Sequence, residues 1–226
     1  MSPKLVYSLF QLIAFLFAIS VHESAHAWTA NRRGDPTARM LGRITLNPIK
    51  HIDIFGTVIL PVVAMVTGVP VIGWAKPTPV DPRNFKNPVL DDILTAIAGP
   101  ISNFLVATLA VLALGAIKVT STLGRQLIFG IPNGWIPGGN SMLVPLCLLL
   151  YELMEINIIL AVFNLIPVPP LDGSHVVRHF MPAPMLRVYD MLGYIGLFVL
   201  VFWGGGLLFQ LITPFLQFYN LLLFRI

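Results

Sequence analysis

This sequence predicts an all-α polytopic membrane protein, and three observations carry that prediction. Charge is scarce, with 11% Asp, Glu, Lys and Arg against 56% hydrophobic residues in 226, where an ordinary soluble domain carries about 25%. Mean hydropathy is +0.83. Apolar stretches long enough to cross a bilayer recur along the chain, and each polar connection between them is under about 25 residues, too short for a folded soluble domain of about 50. A net charge of +4 matters less here than where the basic residues sit. They form no aromatic-interleaved patch, so no nucleic-acid partner is expected. One cysteine, Cys147, lies in the apolar run from Leu146 to Leu150, which excludes a disulfide framework or a Cys-based metal site.

Leu5 to Val21 is uncharged and, at about 1.5 Å per residue, nearly spans a hydrocarbon core of about 30 Å. The pattern continues helically to Ala30. Lys4 and Ala25-His26-Ala27 loosely imitate a signal peptide, but equally apolar later segments and the polar groups at this one's end favour a retained span. Residues 31–53 are basic and turn-rich. Gly42-Arg43-Ile44-Thr45-Leu46-Asn47 alternates like a strand ended by Pro48, so a short membrane-associated β-hairpin is expected there. Ile54 to Gly73 is apolar but interrupted by Pro61, Gly68 and Pro70. A Pro-rich connection follows, opening with Trp74-Ala75-Lys76-Pro77-Thr78-Pro79 and ending near Asp92. Residues 93–117 form a second clear span, and 130–139 a Gly/Pro loop. Met142 to Ile166 is a third long apolar segment, running into Pro167-Val168-Pro169-Pro170. Residues 174–181 suit a short interfacial helix, and 188–224 one or two further spans. The whole chain, 1–226, is expected to be one membrane-embedded domain with its core at about 5–180.

The chemistry begins with His22-Glu23-Ser24-Ala25-His26. Positions four apart project from one face of a helix, so two imidazoles can share one ion while Glu23 reaches water beside it. Zinc suits such a set: it accepts two histidines and a carboxylate, leaves one position open, and brings the pKa of its water to about 7. Glu23 is then the catalytic base, taking a proton from water and returning it to the leaving amine. A chain of this composition is expected to contain roughly 0.001 such motifs by chance. Ionisable groups near the end of a span are costly, and by default mark function or a wet cavity.

A third ligand must come from elsewhere. Asp172 is the best candidate, because it follows a proline break whose freed backbone groups survive only if buried in protein or lining an aqueous cavity. His175 competes for the position three residues later. His51 and His179, like His175, otherwise suit interfacial sites.

His22-Glu23-x-x-His26, Ala98-Gly99-Pro100-x-x-Asn103, and Asn164-x-x-Pro167 running into Leu171-Asp172-Gly173 together resemble the site-2 protease family of intramembrane zinc metalloproteases. The resemblance covers about residues 15–178, with the three motifs in the family's order. Gly34-Asp35-Pro36-Thr37-Ala38, Gly42 to Pro48 and Gly73-Trp74-Ala75-Lys76-Pro77 resemble its compact prokaryotic branch, in which no PDZ domain filters substrates. The resemblance implies a core of three transmembrane helices, one zinc held by His22, His26 and Asp172, and Glu23 as base. It also implies that Asn103 and Asn164 position the substrate backbone or the oxyanion. Cleavage of transmembrane segments of membrane proteins is the function implied. A membrane zinc carrier and a catalytically inactive scaffold of the same fold are the alternatives.

Substrate peptide bonds must be freed from helical hydrogen bonds, so spans that unwind at Gly, Pro or Asn are the expected substrates. An unpaired edge at Gly42 to Asn47 could receive such a segment by strand addition. For the three motifs to meet at one depth, Ile54 to Gly73 must be re-entrant, broken near Thr67-Gly68-Val69-Pro70. Positive charge then concentrates on the active-site side, at Arg32, Arg33, Arg39, Arg43, Lys50, Lys76, Arg83, Lys86, Arg178 and Arg187, joined by Arg225 if the tail returns. Lys4, Lys118 and Arg125 lie on the other side. This predicts a multi-pass cell-membrane protein whose site opens toward the cytoplasm and whose N-terminus is outside.

Overall fold

The structure is a computed structural model that describes residues 3–60, 62–63, 74–134 and 141–226. Three long helices form its centre: α1 (Pro3–Arg33), α3 (Pro88–Thr120) and α5 (Leu143–Asn164), each packed against the other two. A short helix, α2 (Thr37–Met40), follows α1. Helix α4 (Thr122–Gly130) lies between α3 and α5, followed by α6 (Asp172–Arg178), α7 (Ala183–Phe202) and α8 (Gly205–Arg225). Five of these helices, α1, α3, α5, α7 and α8, are long and apolar enough to cross a membrane. The outer faces of α1 and α3 agree with that. Leu5, Leu9, Ile13 and Phe17 recur every fourth residue as an exposed apolar stripe on α1, and Ile101, Leu105 and Leu109 do so on α3, as lipid-facing surfaces require.

Local chemistry sets the helix ends. Gly34 closes α1 at φ +118, a conformation that favours glycine, and Asp35 N–H bonds back to Ala30 O at 2.9 Å. Asn87 caps α3, with Pro88 at the first helical position, where its missing N–H costs nothing. Helix α4 carries no strong sequence signal. It forms because Ser121 Oγ accepts Gly124 N–H at 3.1 Å and Leu127 and Ile128 enter the core fully buried. That core gathers Val111, Leu114, Leu127, Ile128, Met154, Ile158 and Leu223, at the end of the bundle away from the histidine motif.

The expected β-hairpin does not form: residues 42–47 are turns and bends with no strand. A strand needs a neighbour for its backbone groups, and here other partners take them. Arg43 N–H bonds to Ala38 O and Thr45 N–H to Arg43 O. The buried His51 side chain meets Thr45 O at 2.9 Å, and Arg43 Nη1 donates to Lys50 O at 2.5 Å. His51 is thus an internal brace of this loop, not an interfacial residue.

The stretch Ile54–Ile59 is π-helical. The re-entrant break expected at 67–70 lies outside the described residues, but both ends of the excursion are described and adjacent. Trp74 N–H bonds to Gly56 O at 3.3 Å, and Thr57 Oγ1 donates to Trp74 O at 2.7 Å. The chain therefore leaves and returns at one end of the bundle.

Helix α8 decides the course of the tail, which the sequence left open. Phe215 packs on Phe104 with ring centroids 5.8 Å apart, and Lys118 Nζ donates to Leu223 O and Phe224 O at 3.1 and 2.9 Å. So α8 runs parallel to α3, and Arg225 ends beside Lys118, opposite the site. The ten residues before Phe215 extend α8 back by about 15 Å, to the site end. Helix α7 meets the turn before α6, with Tyr189 Oη donating to Pro167 O at 2.9 Å and Gly193 packed on Pro169. Both ends of α7 therefore lie toward the site end.

Candidate functional site

His22 and His26 lie on the buried face of α1, one turn apart, their rings edge to face with centroids 4.6 Å apart. Asp172 opens α6. It is delivered there by the proline break, whose backbone is satisfied internally: Val168 N–H bonds to Ile166 O at 2.8 Å and Leu171 N–H to Val168 O at 2.9 Å. A Cβ on Gly173 would lie 2.8 Å from Ile166 O and closer still to Leu165 O, so glycine is what lets this turn close. Asp172 Oδ2 comes to 3.1 Å from His22 Nε2 and 3.4 Å from His26 Nε2. Ligand atoms of all three side chains lie within 4.8 Å of one another.

Hydrogen bonding behind the histidines decides what faces inward. His26 Nδ1 is 2.7 Å from Thr95 O, which can only accept, so Nδ1 carries the proton. His22 Nδ1 is 2.5 Å from Asn103 Oδ1. The orientation of that amide is set by its other end: Asn103 Nδ2 donates to Ala18 O at 3.2 Å and to Asn157 Oδ1 at 2.7 Å. In the neutral rings both Nε2 atoms are therefore lone pairs, aimed at a carboxylate oxygen that is buried without a hydrogen-bond partner.

Three electron-rich atoms converging in a buried place repel one another unless a cation joins them. The residues fit zinc. A tetrahedral ion at about 2.0 to 2.1 Å from each ligand separates its ligands by about 3.3 Å, close to the two spacings found here. The cradle is also cut to size. A Cβ on Gly99 would stand 2.6 Å from His22 Nε2 and nearer still to His26 Nε2, so any larger residue would fill the space between the rings.

Glu23 stands beside this group, half-buried. Its Oε2 accepts Thr78 N–H at 2.9 Å and Thr78 Oγ1–H at 2.7 Å. Thr78 belongs to a Pro-rich strap. Its N–H groups at Trp74, Lys76 and Thr78 bond inward to Gly56 O, His51 O and Glu23, every second residue, as in an extended chain. Pro77 and Pro79 occupy the alternate positions, so the outward edge there lacks donors.

The remaining candidates divide. Asn103 is fully buried with both amide hydrogens used, which leaves it none for a substrate. Asn164 is half-buried at the end of α5 and donates to Leu160 O at 2.9 Å. His175 and His179 turn to Asp92, with Nδ1 and Nε2 at 3.3 and 2.7 Å from Oδ2, so His175 stands outside the converging group. The sequence reasoning missed Thr78, Thr95 and Asn157. Asn157, a polar residue inside an apolar span, could have been singled out. Thr95 contributes a backbone oxygen, which no side-chain pattern announces.

Comparison with known proteins gives the family. The chain matches the family model described as Peptidase family M50 over residues 10–203. It is 35% identical over 178 residues to the Bacillus subtilis (strain 168) protein named "Putative zinc metalloprotease YwhC", covering 76% of this chain and 68% of that one. No solved structure matches. The chain belongs to peptidase family M50, the site-2 protease family of membrane-embedded zinc metalloproteases.

Proposed function

We propose that this protein is a zinc endopeptidase that cleaves transmembrane segments of membrane proteins, with His22, His26 and Asp172 as the metal ligands and Glu23 as the base. The observation that carries it is the convergence of two imidazole lone pairs and an unpartnered carboxylate oxygen on one point. A zinc ion bound there supplies the positive charge that polarises water and the scissile carbonyl. Thr78 holds the Glu23 carboxylate through Oε2, so the side chain waits in one position to accept the proton of water and pass it to the leaving nitrogen. Asn164 is the residue available to hold the substrate carbonyl or backbone, and Asn103 serves the metal ligand instead. The substrate class follows from depth. The histidines sit inside a span, so a peptide bond reaching them comes from within the bilayer and must first be unwound. Basic residues crowd the site end, which favours opening toward the cytoplasm.

The test is Glu23→Gln in the purified, zinc-loaded chain with a membrane-protein substrate. Zinc content should stay near one per chain while cleavage falls by at least about 10² to 10⁴, the usual worth of general acid-base catalysis. Retained cleavage would remove the protease mechanism, and loss of zinc would place Glu23 among the ligands. A zinc carrier or a binding scaffold would keep its activity in this variant.

A further inference from the structure

Behind His22 runs a chain of hydrogen bonds that crosses all three central helices. Asn157 Nδ2 donates to Leu153 O of its own helix at 2.7 Å, which fixes the orientation of its amide and turns Oδ1 toward α3. There Oδ1 accepts from Asn103 Nδ2 at 2.7 Å, and Asn103 Oδ1 in turn faces His22 Nδ1. Both asparagines are fully buried. In the run from Ile156 to Phe163 every residue but Asn157 is apolar, and a polar side chain there is costly unless it is paired. It does not touch the converging group itself.

We propose that Asn157 is a positioning residue of the metal centre: through Asn103 it sets the tautomer and orientation of His22. An amide can sit in its pocket either way round, and the two ways differ in what they show His22. With oxygen toward His22, the imidazole proton is drawn to Nδ1 and the Nε2 lone pair faces the site. With nitrogen toward His22, an N–H opposes Nδ1, the proton moves to Nε2, and that atom can no longer ligate. Ala18 O and Asn157 Oδ1 accept the two hydrogens of Asn103, and each favours the first orientation. Removing the acceptor at 157 leaves one of the two votes and a buried amide hydrogen without a partner.

The proposal rests on the zinc-site reading, and the experiment separates the two. The full chain, purified in detergent, is titrated with zinc against a competing chelator as wild type, Asn157→Leu, Asn157→Ala and Asn157→Asp. His22→Ala and the remote core variant Leu114→Ala serve as controls. Substitution of residues behind a metal ligand weakens metal binding by roughly 10- to 100-fold, and Asn157→Leu should fall in that range. Asn157→Asp, whose protonated carboxyl still accepts from Asn103 and donates to Leu153 O, should bind within about threefold of wild type. The d–d bands of the cobalt(II) form should change in Asn157→Leu and not in Leu114→Ala. Should Asn157→Leu fail to give monodisperse protein, Asn157→Ala removes the same acceptor and answers in its place. Wild-type zinc affinity in the variants lacking the acceptor would overturn the proposal. So would an equal loss in Asn157→Asp, or in Leu114→Ala, since either would show general loosening. Full zinc affinity in His22→Ala would sink the metal-site reading itself.

Discussion

Glu23 and Gly99 show how narrow the tolerances of the site are. Thr78 contributes both a side-chain and a backbone donor to one Glu23 oxygen, and a hydrogen bond to a charged group is worth about 1.5 to 3 kcal/mol. Thr78→Val removes the hydroxyl and keeps the N–H. It is expected to slow cleavage about 10- to 100-fold with zinc content unchanged, as read by turnover of a membrane-protein substrate alongside metal analysis. An unchanged rate would mean that the carboxylate needs no such restraint. Gly99→Ala acts on the metal instead. Its Cβ would occupy the space between the two Nε2 atoms, so the purified variant should retain well under half of the wild-type zinc. A fully loaded Gly99→Ala protein would show that the helices can part to admit a methyl group.

At the scale of elements, one carboxylate ties the start of the loop between α1 and α3 to its end. Asp35 is fully buried and accepts from Thr37 N–H and Oγ1–H, from Asp81 N–H at 2.8 Å and from Asn84 Nδ2 at 2.9 Å. Burial pushes its pKa up, but the hydrogen bonds from Thr37, Asp81 and Asn84 outweigh burial and hold it below the ordinary value. A carboxyl whose folded pKa is depressed gives stability that is fully present above its unfolded pKa of about 3.9 and lost as pH falls through the lower folded value. The loop should therefore be equally protected from protease between pH 5 and 8 and open only below about pH 4. Asp35→Ala, which strands several buried donors, should open it at neutral pH. Cleavage of residues 36–84 that is the same in wild type and variant would contradict this anchor. The same loop shows why alternation misled at residues 42–47: a period of two fits any extended segment, and only the availability of a partner strand makes it a β-strand.

At the scale of the molecule, the direction of α8 sets the topology. Arg225 lies with Lys118 at the end opposite the site, leaving ten basic residues named for the site side and four on the other, still the bias of a cytoplasmic site. Since α8 starts at the site end, α7 does not complete a crossing beside the core, although its length would allow one. Single cysteines at Asp81, Gly205 and Ile226 in a Cys147→Ser background test this with an impermeant reagent. The first two should label from the cytoplasmic face and the third from outside. Labelling of Gly205 from outside and of Ile226 from the cytoplasmic face would make α7 a full span and reverse α8.

The sequence alone determined the membrane class, because solvent preference is a property of composition. It also determined the His22-Glu23-x-x-His26 face, because helical spacing places residues four apart together whatever surrounds them. Asp172 was within reach because prolines interrupt a span only for a reason. Tertiary structure alone decided the rest. That Thr78 grips Glu23 across 55 positions, that Asn157 reaches His22 through Asn103, and that α8 runs parallel to α3 all depend on which helices meet and at what height. Such contacts arise from packing between distant segments, and no local periodicity encodes them.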